Sequence, residues 1–465
     1  MSDNVSSAAA ASVDEYTKLS VPRKIGYACG DFACNMSWSL VGSYLVFFLT
    51  DVALIKASTV GLVIFISKFW DAVNDPIIGS LADNTHSRWG RYRPWVMFSF
   101  VPMLVFNVLT FTTNLEWSET VRTVWGLGMY FILVLLYTMV NVTYSAMPAM
   151  MTRDTETRSS LSSYRMTGAF LAMVILSVLT LRIVNFFGGG AAGYRNAAIV
   201  FSLIAVPFFI ITCVSCREVV TVKEEKRKHV SFIKQFAILK GNWPVWQIAI
   251  AYLTWGVIQG GFTLRLYYCT YNAGDSILYS NTQTVWSVCG MIGAFSVTFL
   301  VKKVKNKGTL GGWAFTLVAI GSAISFFLPI EQGWAVALYY VMNAVVGFGS
   351  GMMLGNVFGM MPDTAEYTYY KTGVYAAGFL STVINFMLKV GQAFAVSGAS
   401  VILDKVGYVA NEKQTGTVLF TMNFGAHMLV AILAVIAAIA MFSYKLDKDT
   451  YNDIVAHLRE KGMAN

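Results

Sequence analysis

The stretch Lys68-Phe69-Trp70-Asp71-Ala72-Val73-Asn74-Asp75-Pro76 places two carboxylates and an ammonium inside an apolar run from about 60 to 82. That run is long enough to cross a bilayer, which needs about 20 helical residues. A charge at mid-membrane costs about 2.5–3.5 kcal/mol on insertion scales, so none of the three should face lipid. Asp71 and Asp75 share one helical face, with Lys68 a turn before Asp71 on that side. Two bare carboxylates so placed repel one another. A small hard cation, Na⁺, Li⁺ or H⁺, suits their oxygens and would neutralise them; Asn74 is counted in the same set. A second reading stays open: Lys68 pairs with one aspartate and locks two helices together.

Other polar groups interrupt apolar runs elsewhere. Asp31 precedes Asn35, Ser37, Trp38, Ser39, Ser43 and Tyr44. A later run holds Tyr137, Thr138, Asn141, Thr143, Tyr144 and Ser145, with Thr138, Asn141 and Ser145 spaced for one helical stripe. Arg165 opens another run and Arg182 lies near its far end; Gln259 and Arg265 share one, and Asn385, Lys389 and Gln392 another. A sugar pocket needs this mixture, with donors and acceptors for hydroxyls and aromatic faces for the C–H side. A lone Asn, Thr or Ser is simply read as an interhelical hydrogen bond worth about 0.6 kcal/mol. Asp31, Arg165 and Lys389 are charged and harder to explain by packing. Arg182 and Arg265 are expected to snorkel to the outer interface.

The elements that must position these groups are long and apolar. The chain has 465 residues, 56% hydrophobic and only 13% charged, against about 25% charged in soluble domains. Twelve spans are expected near 25–50, 59–82, 95–113, 123–150, 166–187, 197–216, 244–269, 281–301, 309–329, 334–361, 373–403 and 417–443. The net charge of +9 is not a nucleic-acid signature, because Lys and Arg collect in alternate connections. Arg88, Arg91 and Arg93 fall in one, Arg153, Arg158 and Arg165 in the next, and Lys302, Lys303, Lys305 and Lys307 in a later one. By the positive-inside rule both termini are expected in the cytoplasm of a bacterial inner-membrane protein. The expected division is a cytoplasmic tail 1–22, six helices over 23–216, a cytoplasmic connector 217–243, six more over 244–443, and a tail 444–465. Six plus six is the pattern of an all-α transporter made of two bundles.

No P-loop is present and the four histidines are scattered, so neither an ATP-driven pump nor an enzyme is expected. No cofactor is expected beyond the coupling ion, and the partners expected are a sugar, a monovalent cation and membrane lipid, with no nucleic acid. The chain is expected to act as a monomer. Six cysteines in or beside apolar runs read as small buried side chains.

Several motifs resemble the glycoside–pentoside–hexuronide:cation symporters, the melibiose-permease branch of the major facilitator superfamily. They are Asp31-Phe32-Ala33, Phe48-Leu49-Thr50-Asp51-Val52, Trp70 to Pro76, Ser87-Arg88-Trp89-Gly90-Arg91-Tyr92-Arg93-Pro94-Trp95 and Asn141-Val142-Thr143-Tyr144. Arg158…Arg165, Pro362-Asp363-Thr364-Ala365-Glu366-Tyr367, Lys371-Thr372-Gly373 and Lys389-Val390-Gly391-Gln392-Ala393 follow in family order. The resemblance implies a fold of twelve transmembrane helices in two six-helix bundles. It implies that Asp71, Asp75 and Thr138, with Asn74, bind the cation. It also implies that Asp31, Asn141 and Arg165 hold the sugar, with Tyr144 and Lys389 counted among the solute-binding residues; the lysine lies near the cation site in that family. Asn141 and Ser145 stand where melibiose permease has Asp and Trp, which removes one carboxylate and one stacking surface and puts a galactoside preference in doubt. Arg88, Arg91 and Arg93 with Asp363 and Glu366 are candidate cytoplasmic latches, unless the arginines serve only orientation. The function so implied is sugar import coupled to Na⁺ or H⁺ by alternating access. Rival readings are a carrier of lipid-like or drug-like amphiphiles on the same fold, and a non-transporting membrane sensor.

Overall fold

A computed structural model describes residues 19–152, 155–218, 239–373 and 377–460. The N-terminal tail up to residue 18 and most of the central connector lie outside the described residues. Twelve long helices follow: α1 Val21–Phe47, α2 Ala57–Asp83, α3 Arg93–Thr110, α4 Glu119–Ala146, α5 Thr155–Phe186, α6 Gly190–Ser215, α7 Trp243–Tyr267, α8 Ser276–Lys303, α9 Lys307–Phe327, α10 Gly333–Thr372, α11 Ala377–Lys405 and α12 Gly416–Phe442. A shorter helix, α13 Lys448–Glu460, closes the chain. Ten stretches among the described residues are apolar and long enough to span a membrane. The other two long helices, α2 and α7, have 27 and 25 residues; α2 carries Lys68, Asp71, Asn74 and Asp75, and α7 carries Gln259 and Arg265.

Local chemistry sets the helix ends. Ser118, Asp275, Asn306 and Thr415 cap α4, α8, α9 and α12 by accepting from main-chain N–H groups of the first turn. Gly373, at φ 69°, ends α10 in the left-handed conformation that a side chain would resist. Two elements differ from expectation. Helix α5 starts at Thr155 rather than near 166, so Arg165 lies inside the helix and not at its opening. Helix α10 runs 40 residues, well beyond the apolar run, because its polar continuation through Asp363 and Glu366 stays helical outside the apolar layer. Side chains on outward faces remain apolar, with Phe69 63%, Phe299 71% and Phe327 73% exposed, as lipid contact requires.

The described residues fall into two compact units: Met1–Ile55 with Trp70–Arg227, and Lys56–Phe69 with Lys228–Asn465. In the first, α1 packs on α5 and α6, and α3 on α4 and α6. In the second, α8 packs on α10, α7 on α11, and α9 on α10 and α12. Glycines set the closeness of that packing. A Cβ on Gly351 of α10 would lie 1.8 Å from the Gly290 carbonyl oxygen of α8, and one on Gly347 2.4 Å from the Trp286 carbonyl oxygen.

Helices α1 and α7 end alike. Each runs into a turn with the wider π hydrogen bond, Phe48–Val52 and Tyr268–Asn272. Ala53 N–H donates to the Phe48 carbonyl at 2.8 Å, and Ala273 N–H to the Tyr268 carbonyl at 3.1 Å. Thr50 and Thr270 each bond back to a carbonyl four residues earlier.

Candidate functional site

Of the candidate cation residues, Asp71 of α2 and Thr138 of α4 are in contact. Thr138 Oγ1 donates to Asp71 Oδ1 at 3.1 Å. Asp71 and Asn74 are buried, Asp75 half-buried. The Asn74 Nδ2 group has no hydrogen-bond partner among the described residues. Rotating that amide presents its oxygen instead. Carboxylate, hydroxyl and amide oxygens are the hard donors that Na⁺ takes, and a carboxylate alone can take H⁺.

The candidate solute residues gather around one guanidinium. Arg165 of α5 donates from Nε to Asp31 Oδ1 of α1 at 3.0 Å. Its Nη1 donates to Ser145 Oγ at 2.9 Å and its Nη2 to Asn141 Oδ1 at 3.5 Å, both on α4. Two of its five N–H groups and Asp31 Oδ2 keep no partner among the described residues. The Tyr144 ring lies 5.2 Å from the guanidinium carbon. Tyr144 was expected at the solute, but it is fully buried in this structure. It stacks on Tyr27 at 4.5 Å and donates its hydroxyl to the Tyr27 carbonyl at 2.5 Å. The ring fits because α1 has Gly30 there: a Cβ would lie 2.4 Å from it. Tyr144 thus supports Arg165 from beneath. Trp38 and Tyr137 stack at 3.9 Å and add aromatic surface.

One turn of α4 joins the two sets. Thr138 reaches Asp71, and Asn141, three residues on, reaches Arg165. The stripe legible as Thr138, Asn141 and Ser145 therefore touches both candidate sites. Lys389 lies half-buried on α11, in the second unit.

The latch candidates have partners of their own. Lys307 donates to Asp363 Oδ2 at 2.5 Å, and the Tyr451 hydroxyl of α13 to Glu366 Oε2 at 2.5 Å. Burial pushes the Asp363 carboxyl above its ordinary range, with Lys307 pulling the other way. Arg88 is exposed and stacks on Trp89. The main-chain N–H groups of Arg91, Tyr92 and Arg93 all donate to the Glu218 carboxylate, each at 2.7 Å, and Arg93 Nε donates to the Cys213 carbonyl at 2.6 Å. Glu218 was missed in the sequence; it is one acid in a charged connector, with no spacing to mark it. The Arg158 side chain lies outside the described residues.

Arg265 corrects the sequence reading. It does not snorkel but is 4% exposed. It donates to Asn343 Oδ1 at 3.1 Å and lies 4.0 Å over the Phe262 ring. A hydrogen-bonded series through Tyr339, His427 and Asn423 lines the same interior. An amide acceptor and a π face replace the water that a snorkelling arginine would reach.

Solved structures share this architecture. A D-xylose–proton symporter superposes with a TM-score of 0.64, covering 92% of this chain and 98% of that one at 14% identity. A bacterial homologue of the human lysosomal transporter Spinster gives 0.63, covering 93% and 97% at 12% identity. The fold is that of a multi-pass membrane transporter of the major facilitator type, all α-helical. The family model described as MFS/sugar transport protein matches residues 26–448. An uncharacterised symporter of Bacillus subtilis, YnaJ, is 30% identical over 96% of both chains. The isoprimeverose transporter of Lactiplantibacillus pentosus is 30% identical over 91% of this chain and 88% of its own length. A putative glycoside/cation symporter of Escherichia coli, YagG, is 29% identical over 92% and 91%. The chain belongs to the MFS/sugar transport family, within its glycoside–pentoside–hexuronide:cation symporter branch.

Proposed function

We propose that this protein is a secondary active transporter that imports a glycoside or related sugar together with Na⁺ or H⁺, and that it is not an enzyme. The observation that carries the reading is the single turn of α4 that touches Asp71 through Thr138 and Arg165 through Asn141. A cation that neutralises Asp71 and Asp75 quiets the repulsion beside that turn. The same turn then holds Asn141 and Ser145 against Arg165, where the unpaired N–H groups and Asp31 Oδ2 meet sugar hydroxyls. Each ligand thereby favours the state that binds the other, and by linkage each raises the other's affinity. Alternating access of two bundles then carries both across.

Lys389 and the half-buried Asp75 belong to the same reading, as solute and cation ligands. Arg88, Arg91, Arg93, Asp363 and Glu366 serve as cytoplasmic latches, formed in the outward-facing state. The basic connections support cytoplasmic termini, and a monomer suffices for the cycle. Named relatives that carry isoprimeverose or glycosides support the sugar class. The test is a sugar panel in proteoliposomes with Na⁺ and pH varied separately, on wild type and Asp75→Cys. The variant is expected to lose accumulation against a gradient while keeping part of its downhill exchange. Accumulation that survives in Asp75→Cys overturns the coupling assignment.

A further inference from the structure

The neighbouring ends of α3 and α6 cap one another. Glu218, just beyond α6, seats its carboxylate on the start of α3. Its Oε1 accepts from the Tyr92 and Arg93 N–H groups and its Oε2 from the Arg91 N–H, each at 2.7 Å. In the other direction, Arg93 Nε donates to the Cys213 carbonyl in the last turn of α6 at 2.6 Å. Both pairings suit the helix ends, because a helix N-terminus holds unspent N–H groups and a C-terminus unspent carbonyls. Gly90 makes the seat possible. Its φ of 112° is left-handed, and a Cβ there would lie 2.7 Å from the Glu218 carboxyl carbon. Ser87 closes the turn, its Oγ donating to the Gly90 carbonyl at 2.7 Å and accepting the Trp89 N–H at 3.2 Å.

What the carboxylate leaves alone is as informative. The loop carries Arg88, Arg91 and Arg93, and a simple charge neutraliser would pair with one of their guanidiniums. Among the described residues no ion pair joins Glu218 to any of them. The Arg91 guanidinium has no partner among the described residues, and that of Arg88 lies over the Trp89 ring. Nor is Glu218 needed to join the helices. Further along the same seam Phe100 stacks on Phe209 at 5.2 Å, and Asn107 Nδ2 donates to Ser202 Oγ at 3.3 Å. All these groups lie in the first unit. What Glu218 does fix is the main chain of Arg91, Tyr92 and Arg93, and with it the direction in which the Arg91 side chain leaves the loop.

We propose that Glu218 is the positioning residue for the arginine latch. It straps the α2–α3 loop to the end of α6 through main-chain N–H groups alone. Arg93 is committed to that strap, and Arg91 is held aimed with its guanidinium unspent, ready to take and release an acidic partner as the carrier cycles. The strap rests on the latch reading given under the proposed function and adds to it the group that sets the latch.

The test uses the full chain in proteoliposomes with four probes: isoprimeverose, methyl β-D-xyloside, methyl α-D-galactoside and p-nitrophenyl β-D-glucuronide. Glu218→Ala is expected to lower the maximal uptake rate of the accumulated sugar about tenfold, the equivalent of one charge-assisted hydrogen bond. The KM for sugar and the cation concentration for half-maximal uptake should not move. Acetate replaces the atoms that this substitution removes, so acetate on the cytoplasmic side should restore the rate, and chloride at equal ionic strength should not. Glu218→Gln keeps an acceptor oxygen and should lose less. Arg91→Gln should match the loss in Glu218→Ala, and the two together should be no worse than either, as for groups acting in one step. Trypsin cleavage after Arg91, read by mass spectrometry, should rise in Glu218→Ala and fall again with acetate. An unchanged rate in Glu218→Ala overturns the strap. A lowered rate with lowered thermal stability and no response to acetate makes Glu218 a helix fastener and overturns its positioning role alone. A wild type that accumulates none of the four sugars overturns the proposed function and leaves no latch to position.

Discussion

Asp31 and Arg165 form a charge pair that can be taken apart one member at a time. The Asp31 side chain is 8% exposed and that of Arg165 27%. Removing one partner of a buried pair strands the other and costs about 3–5 kcal/mol. Arg165 keeps Ser145 and Asn141 as acceptors and is partly exposed, which places Asp31→Asn at the low end, about 3 kcal/mol. Arg165→Gln strands the more deeply buried carboxylate and should cost at least as much. Asp31→Asn combined with Arg165→Gln removes both charges and should recover to within about 1 kcal/mol of wild type, about 5 kcal/mol better than the two single losses would give if they added. Unfolding of the purified protein in mixed micelles, followed by tryptophan fluorescence, reads these differences. Uptake into proteoliposomes gives the second readout. All three variants should lose it, because the donors and acceptors that meet the sugar are altered in each. A double variant less stable than either single one would refute the charge-pair account. A double variant that regains uptake would refute the placement of the solute there.

Two further outcomes follow from packing and charge. Gly351→Ala forces a methyl into the Gly290 carbonyl oxygen, 1.8 Å away. Thermal unfolding should show a loss at or above the usual overpacking cost of about 1–3 kcal/mol, whereas Gly398→Ala, with nothing within 4 Å, should change little. Asp447 accepts the Thr450 N–H at 2.9 Å and caps α13, and these bonds hold its carboxyl below the ordinary range. A carboxyl with a lowered folded pKa stabilises at neutral pH and loses that contribution as pH falls from about 4 through the folded value. The protection of α13 amides, taken relative to their intrinsic exchange at each pH, should therefore fall below about pH 4 in wild type and fall less in Asp447→Asn.

Much of this was legible from residue type and length alone. The twelve spans could be placed because apolar length is a bilayer requirement, and ends were misplaced where helix continues into polar sequence, as at Thr155 and beyond Met361. The Thr138–Asn141–Ser145 stripe was readable from spacing, since three- and four-residue steps return to one helical face. Spacing within α4 does not name the helix that lies opposite; the groupings of Thr138 with Asp71 and of Asn141 with Arg165 came from the motif resemblance instead. Glu218 and Tyr451 were hidden for the same reason: each joins segments far apart in sequence. Arg265 was misread because hydropathy assigns an arginine near a span's end to the interface, and only the packed structure supplies Asn343 and Phe262.

The matching turns that close α1 and α7 have an implication for how this chain tolerates change. Losing one residue from either would rotate everything after it by about 100° and swing the next connection away from its neighbours. Truncating the buried Phe48 or Tyr268 costs local packing, whereas a deletion costs the register of everything that follows. The spacing of Phe48 to Ala53 and of Tyr268 to Ala273 should therefore outlast the residues that occupy it, leaving a likeness between the two halves that survives in hydrogen-bond ring size after it has faded from the letters.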